Sequence, residues 1–218
     1  MVNRSRTSPA APDQAAPRDA TRSRDLIVEA AIDFLEHHPY RELNAGVLME
    51  RTGLSRPAFY QYFKNIPALI AHLLERLAAE MGEAANEWLT EDGDRIEALR
   101  VGHEGIATVV RRHGRLFRAI SEAAHLDADL EMVWNMFVDE WVAGVADRIR
   151  HEQAQGLIDR TLDAEWVSRA LNLMDVAILI GAFGKDPQDP LDAVVETIMT
   201  VWCRTLYGPD GPPAARGG

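Results

Sequence analysis

Two short helical segments separated by one glycine occupy residues 44–63, and this pattern constrains the fold more than any other feature of the sequence. The segment reads NAGVLMERTGLSRPAFYQYF. Asn44 and Ser55 are preferred N-cap residues, and Gly53 favours the left-handed conformation that ends a helix. Pro57 is tolerated in a first helical turn, where its missing N–H has no partner to lose. The segment therefore predicts a helix-turn-helix.

The rest of the sequence spaces its apolar residues with a helical period and contains no β-alternation of useful length. Pro39 ends the first predicted helix, and Gly156 ends a long helix in the second half. Besides the helix-turn-helix, helices are predicted over residues 21–37, 65–88, 94–113, 115–125, 130–153, 164–184 and 191–207. We expect an all-α fold, with a three-helix N-terminal head that carries the helix-turn-helix and a larger helical body.

Composition divides the chain into four parts. Residues 1–20 predict a flexible arm, 21–80 the helix-turn-helix domain, 81–208 the helical body, and 209–218 a disordered tail. The arm is either an inert tail or a basic extension that reaches DNA phosphates or the minor groove. In the second case Arg22 and Arg24, which lie nearest the head, are the best candidates for contact.

The net charge of −11 argues at first against a nucleic-acid partner. The charge is unevenly divided, however. Residues 1–80 hold ten basic and ten acidic side chains, whereas residues 81–218 hold 13 basic and 24 acidic ones. The acidic excess therefore lies entirely in the body, and the head remains compatible with DNA.

Several classes of protein are disfavoured. The single cysteine, Cys203, suits a reducing cytosol, and no apolar run reaches the roughly 18 residues that a membrane helix needs. The chain has no apolar signal segment near its start, so we expect a cytoplasmic protein with no membrane partner. The seven histidines show no metal-ligand spacing, and nucleophile, phosphate-loop and dinucleotide motifs are missing. We therefore expect no enzyme activity, cofactor or metal site, and we interpret the histidines as exposed helix residues.

The head carries a family resemblance. The segment GLSRPAFYQYFKNIPAL, preceded by LIVEAAIDFLEHHPYRELN, resembles the TetR family of bacterial repressors over residues 21–79. The C-terminal segments ALNLMDVAILIGAF and AVVETIMTVWCRTLYG resemble the ethionamide-resistance repressor branch of that family. The resemblance implies a head that binds DNA and a body that binds a small molecule and dimerises.

The resemblance also assigns roles within the second helix of the helix-turn-helix. Arg56 stands where a base-reading side chain is expected, and an arginine there would bind guanine O6 and N7. Ala58 would offer a methyl group to thymine, and the tyrosine hydroxyls would contact phosphates. The predicted DNA contacts are Arg22, Arg24, Asn44, Ser55, Arg56, Pro57, Ala58, Tyr60, Gln61, Tyr62 and Lys64.

One position departs from the family pattern. Ile66 occupies the start of the fourth helix, where the family usually has a lysine that contacts a phosphate. Either Lys64 compensates for the change, or this contact is missing and the DNA footprint is weaker or shifted.

The segment 170–183 is apolar on nearly every side, so it must be covered on more than one side. Either it forms the centre of a monomer core, or a second subunit covers one side in a two-fold symmetric four-helix interface. The second interpretation predicts a homodimer whose interface contains Ala177, Ile180, Val194, Val195, Ile198 and Met199.

Asn172 and Asp175 lie on one face of this apolar helix, where buried polar groups need partners. They either bond within the core or anchor a polar group of a ligand, as the branch resemblance implies for asparagines at the matching positions. Asp175 replaces an amide and would favour a ligand with a donor or a cation. The aromatic residues nearby are either plain core or the walls of a pocket. The predicted ligand contacts are Ile106, Trp134, Phe137, Trp141, Asn172, Leu173, Asp175 and Trp202.

Together these features predict a dimeric repressor that a small apolar effector releases from a palindromic DNA operator. Two alternatives stay open. One is a helical small-molecule-binding or enzymatic protein whose head no longer binds DNA. The other is a regulator whose body pocket is closed and takes no ligand.

Overall fold

The computed structural model describes residues 17–90 and 94–208, with side chains from residue 21 onward. This part of the chain consists of helices and their connections and contains no strand, which confirms the predicted all-α fold. The helices are α1 (Pro17–His37), α2 (Ala45–Thr52), α3 (Arg56–Tyr62), α4 (Ile66–Thr90), α5 (Arg95–Arg112), α6 (Gly114–Ala124), α7 (Ala128–Gln155), α8 (Ala164–Phe183) and α9 (Leu191–Tyr207).

The helix ends follow the capping and breaking residues closely. Gly53 and Gly156 take positive φ angles of 70° and 76°, which the other amino acids rarely adopt, and they end α2 and α7. Two features were not predicted. A short 3₁₀ turn, Tyr40–Glu42, follows Pro39, and α1 begins at Pro17 instead of residue 21. Residues 17–20, assigned to the flexible arm, are therefore helical, while residues 1–16 and the predicted tail at 209–218 lie outside the described residues.

The head is built from α1, α2 and α3 around one apolar core. Ile27 and Val28 of α1 and Leu48 of α2 are completely buried there, as is Phe59 of α3. The first half of α4 closes this core with Leu69 and its buried neighbours Ile70 and Leu73. Since α4 continues without a break to Thr90, the proposed boundary at residue 80 falls inside a single helix and stays a prediction.

The body places α5 against the second half of α4 at very short range. A Cβ atom added at Gly105 would lie 2.1 Å from the Cβ of Ala84, and one added at Gly102 would lie 3.3 Å from the Cα of Ala85. At Gly105 the approach requires glycine, because a side chain there would force the two helices apart. The close α4–α5 pair fixes α4 against the body.

A buried ion pair joins two further residues of the body. Arg148 and Glu152, one turn apart on α7, have side chains that are 2% and 0% exposed and approach to 2.8 Å. Arg95 at the start of α5 lies 3.6 Å from the same carboxylate. The pair ties α7 to the far end of the α4–α5 hairpin.

By length and composition, one helix in the described part of the chain, α8, is apolar enough to cross a membrane. No membrane helix was predicted from the sequence, because only the length of uninterrupted apolar runs was considered. A core helix passes the same test, and α8 packs along α7 with its buried polar side chains hydrogen-bonded inside the body.

Candidate DNA-binding face and effector cavity

The outer face of the head is formed by α3 and the residues around it. Asn44 caps α2 as expected, because its side-chain oxygen accepts a hydrogen bond from the Val47 N–H at 3.1 Å. Arg56, Pro57 and Gln61 are exposed, and 55% of Tyr60 is exposed. This arrangement leaves the start of α3 free to enter a groove of DNA.

Three details of this face differ from the simplest expectation. Ser55 occupies the N-cap position of α3, but its side chain makes no capping hydrogen bond, so its hydroxyl is not committed to the helix. Ala58 and Tyr62 are half-buried against the head core and present only part of their surface outward. A thymine contact by Ala58 would therefore need close approach of the helix to the base.

The basic residues flanking α3 are differently placed. Arg24 lies over the ring of Phe63, with its guanidinium carbon 5.6 Å from the ring centroid, and donates to His72 Nδ1 at 3.3 Å. Arg22 and Lys64 are exposed. Arg24 is thus held beside the end of α3 by contacts within the head. Arg22 lies two residues nearer the start of α1.

The start of α4 follows α3 after three residues. Asn65 caps α4, since its side-chain oxygen accepts from the Ala68 N–H at 2.9 Å. Ile66 is half-buried and packs against the head core. An apolar side chain in this place supports packing, and it leaves Lys64 as the cation nearest to the junction.

Two small cavities lie in the centre of the body and share part of their walls. One measures about 60 Å³ and the other about 40 Å³. Ile106, Trp141, Asn172 and Asp175 line both of them. Trp134 and Phe137 line the larger cavity, and Trp202 lines the smaller one. The fold thus brings seven of the eight predicted ligand residues together around these two cavities.

The shared wall contains a buried polar centre that sequence reasoning did not foresee. His103 is 6% exposed; its Nδ1 donates to the Leu99 carbonyl at 2.8 Å, and its Nε2 lies 3.2 Å from Asp175 Oδ2. The indole N–H of Trp202 donates to both carboxylate oxygens of Asp175 at 3.0 Å. The expectation that the histidines are exposed helix residues is therefore wrong for His103.

Asn172 belongs to a second, adjacent hydrogen-bond chain. Its amide nitrogen donates to the Ser168 carbonyl at 2.9 Å and to the Ser168 hydroxyl at 3.3 Å. The Ser168 hydroxyl in turn donates to the Val142 carbonyl of α7 at 2.7 Å. These bonds fix the orientation of the amide and leave its carbonyl oxygen as an acceptor.

Two sets of predicted residues need correction. Leu173 is 49% exposed and lines neither cavity, because it lies on the outer side of α8. Four of the six predicted dimer residues are buried in the protomer itself, at 8%, 2%, 0% and 3% exposure. They are Val194, Val195, Ile198 and Met199. They form the inner face of α9 against its own core, so a partner subunit cannot reach them in this conformation.

The outer face of α8 instead carries an exposed stripe that recurs every three or four residues. Trp166 is 71% exposed, and the stripe continues through Ala170, Leu173, Ala177 and Gly181. We call these five residues the α8 stripe. Ile180, also predicted at the interface, is half-buried and lines the larger cavity. The tryptophan was missed because the sequence segment singled out began after it.

A larger hollow, about 380 Å³, is an open groove between the end of α1 and the start of α6. Charged side chains dominate its rim, among them Glu36, Arg115 and Arg118. The groove is open to solvent, whereas the two small cavities are more enclosed and have aromatic walls, so they are the better candidates for an effector site despite their size. Within residues 17–90 and 94–208, no cluster of three or more His, Cys, Asp or Glu residues suits a metal ion.

The fold and the exposed α3 define a helix-turn-helix transcriptional regulator. Residues 27–73 match the profile of bacterial regulatory proteins of the tetR family, and residues 99–208 match that of the C-terminal domain of the transcriptional regulator EthR. The chain belongs to the TetR family, in the EthR type. The predicted family is thereby confirmed. The relatives that match this chain are transcriptional regulators, not enzymes.

Individual relatives agree with this assignment. The HTH-type transcriptional regulator EthR of Mycobacterium tuberculosis is 31% identical over 186 residues, which cover 84% of this chain and 86% of the relative. Its counterpart in Mycolicibacterium smegmatis is 28% identical over the same length, covering 84% and 85%.

Solved structures share the fold at lower identity. A TetR-family regulator from Rhodococcus sp. has a TM-score of 0.70 and 19% identity, covering 85% of this chain and 99% of the other. The fatty acid degradation regulator FadR from Bacillus halodurans has a TM-score of 0.71 and 15% identity, covering 87% and 96%.

Proposed function

We propose that the protein is a homodimeric repressor that binds a palindromic operator through α3 and is released by a small, largely apolar effector in the body. We further propose that it acts in the cytoplasm, where its DNA partner lies. The observation that carries the proposal is the combination of an exposed α3 with a pair of aromatic-walled cavities, because one continuous helix, α4, runs from one to the other.

The reading of DNA is assigned to the exposed start of α3. Arg56, whose side chain is exposed, is the proposed base contact, with Tyr60, Gln61 and Lys64 as further contacts. Loss of a bidentate arginine contact to guanine removes about 1–3 kcal/mol of discrimination. Arg56→Ala should therefore weaken binding to the specific site more than binding to random DNA, as measured by fluorescence anisotropy. Arg204→Ala, which removes an exposed arginine from α9, is the control and should leave both unchanged.

Arg22 and Arg24, together with Asn44, Ser55, Pro57, Ala58 and Tyr62, complete the proposed DNA face. Equal weakening of specific and random DNA by Arg56→Ala would instead make Arg56 a phosphate contact. In that case, base reading must come from Gln61 or from the Ser55 hydroxyl, which the helix leaves unused.

The dimer interface is assigned to the α8 stripe, of which Ala177 is the one residue retained from the sequence prediction. Its spacing is that of a helix–helix seam, and its alanines and glycine permit close approach of a second helix. A Cβ added at Gly181 would meet nothing within 4 Å. Ala177→Glu should convert the dimer into a monomer in analytical ultracentrifugation. Ala154→Glu, at an exposed alanine near the end of α7, is the matched control and should remain dimeric.

The transmission of the effector signal is assigned to α4. Met81 of α4 lines the larger cavity, and Ala85 and Trp88 line the smaller one. At 1.5 Å per residue, the start of α4 lies about 22 Å from Met81, so a small tilt at the cavity moves the head by a larger distance. An effector must then bind the DNA-free protein more tightly than the DNA-bound protein. The ratio of the two affinities equals the factor by which the effector weakens operator binding.

The cavities are small enough to support a second possibility, a regulator whose pocket stays closed. A volume of 60 Å³ corresponds to about two water molecules, so a ligand must displace the aromatic side chains to enter. Thermal denaturation across a library of apolar compounds separates the two cases. A ligand that binds the folded state raises its stability by mass action. A library without any stabilising compound would favour the closed regulator.

A further inference from the structure

The ionisable groups around the cavities are few, and they point to the chemical class of the effector. Across the described residues that line the two cavities, Asp175 is the one carboxylate and His103 the one other ionisable side chain. The Asp175 side chain is 14% exposed and belongs to the lining of both cavities. A ligand in either cavity would therefore meet this carboxylate.

The hydrogen bonds show how Asp175 is balanced without a ligand. His103 Nδ1 faces the Leu99 carbonyl, which only accepts, and Nε2 faces the Asp175 carboxylate. The His103 ring thus lies between two acceptors and occupies one side of the Asp175 carboxylate. Trp202 adds one N–H that is shared between the carboxylate oxygens. A carboxylate offers about four lone-pair sites, so one site is still open to a donor.

The remaining walls are suited to a positive charge. The rings of Trp134 and Phe137 lie 5.6 Å apart, and Phe117 lies 6.2 Å from Phe137. Aromatic faces attract organic cations, tryptophan most strongly. Because the Asn172 amide nitrogen is bonded to Ser168, its carbonyl oxygen is the free end and accepts from a donor. Neither the Asp175 carboxylate nor the Asn172 carbonyl oxygen can donate a hydrogen bond to a carbonyl or carboxylate of a ligand.

We propose that the effector is an organic cation, a protonated amine on an apolar or aromatic skeleton that donates to Asp175 and to the Asn172 carbonyl between the aromatic walls. This inference rests on the proposed effector function of the cavities. The bound cation competes with His103 for Asp175, because both approach the same carboxylate as hydrogen-bond donors.

Three compounds with one skeleton test the charge preference: phenylbutylamine, phenylbutanol and phenylbutyric acid. Their dissociation constants are measured by calorimetry near neutral pH. The amine should bind about tenfold or more tightly than the alcohol, from the charge-assisted bond and the cation–π contact. Asp175→Asn should abolish the preference while the alcohol still binds, which shows that the cavity is formed. Glu104→Gln, the same charge change at an exposed site on α5, should keep it.

A second variant guards against misfolding of the first. His103→Gln leaves Asp175 in place and removes the imidazole ring that competes for its carboxylate, so it should raise the affinity for the amine. Equal or tighter binding of the alcohol or the acid, an amine preference that survives Asp175→Asn, or no binding by any of the three would overturn the proposal. Operator binding is measured on the same preparations. Intact operator binding with a failed amine preference rejects only the ligand class, whereas loss of operator binding by the wild type rejects the proposed function itself.

Discussion

Removing the carboxylate of Glu152 tests the energetics of the buried ion pair in the body. Glu152→Ala removes the carboxylate that lies 2.8 Å from the Arg148 guanidinium, which is 2% exposed. Removing the carboxylate of a fully buried ion pair destabilises a protein by about 3–5 kcal/mol, because the desolvated positive charge loses the negative charge that compensates it. Burial and the nearby Glu152 carboxylate raise the pKa of Tyr207, so this phenol belongs to the same buried cluster.

The assay is urea denaturation at one fixed protein concentration, since the stability of the proposed dimer would depend on concentration. Asp139→Ala, which removes an exposed partner of Arg169 from the same helix, is the control and should lower the free energy of unfolding by no more than about 1 kcal/mol. The double variant Arg148→Met with Glu152→Leu should recover most of the loss, because an apolar pair removes the desolvation penalty. A loss for Glu152→Ala no larger than that of the control would refute the reasoning.

Two further outcomes are expected. Gly105→Ala should lower the free energy of unfolding by about 1–3 kcal/mol, because the new methyl group would lie 2.1 Å from Ala84 and force α4 and α5 apart. Gly82→Ala, whose methyl group meets nothing within 4 Å, should instead raise the free energy of unfolding. A change of the same sign and size in both variants would contradict the packing argument. Burial, followed by the charges of Asp127 and Asp129, raises the pKa of Tyr40 from 10.0 to about 12. The folded state therefore holds this proton more tightly than the unfolded state, and the associated stability is complete below pH 10 and lost as the pH rises toward 12. Denaturation of Tyr40→Phe across this range should show a shallower fall than wild type, and identical slopes would contradict the assignment.

Most of the fold could be predicted because the chain places strong local signals at the helix ends. Asn44, Gly53 and Asn65 act at the positions that their capping preferences indicate. These signals depend on a few neighbouring residues, so no tertiary information is needed. The 3₁₀ turn after Pro39 was missed because three residues are too few for a periodic pattern.

The site was predictable only in part, because its decisive contacts join distant segments. His103 and Asp175 are 72 residues apart, and a single histidine on an amphipathic helix gives no sign of such a partner. The sequence also could not predict which face of α8 packs against the protomer core, since a helix that is apolar on nearly every side has no periodic pattern that separates core from interface. In α9 the apolar side was correctly recognised, but the protomer core takes it, which leaves Val194 and Ile198 unavailable to a partner.

The central claim, that this chain reads DNA through its head, is tested most directly by fluorescence anisotropy on the DNA upstream of its own gene. The comparison is a shuffled duplex of the same length and composition, across a series of salt concentrations. The account predicts binding to the upstream duplex at least about 10³-fold tighter than to the shuffled one, at the low end of the range for specific regulators. Both affinities should fall steeply as salt rises, because phosphate contacts release counterions. Equal, weak binding to both duplexes would contradict the account.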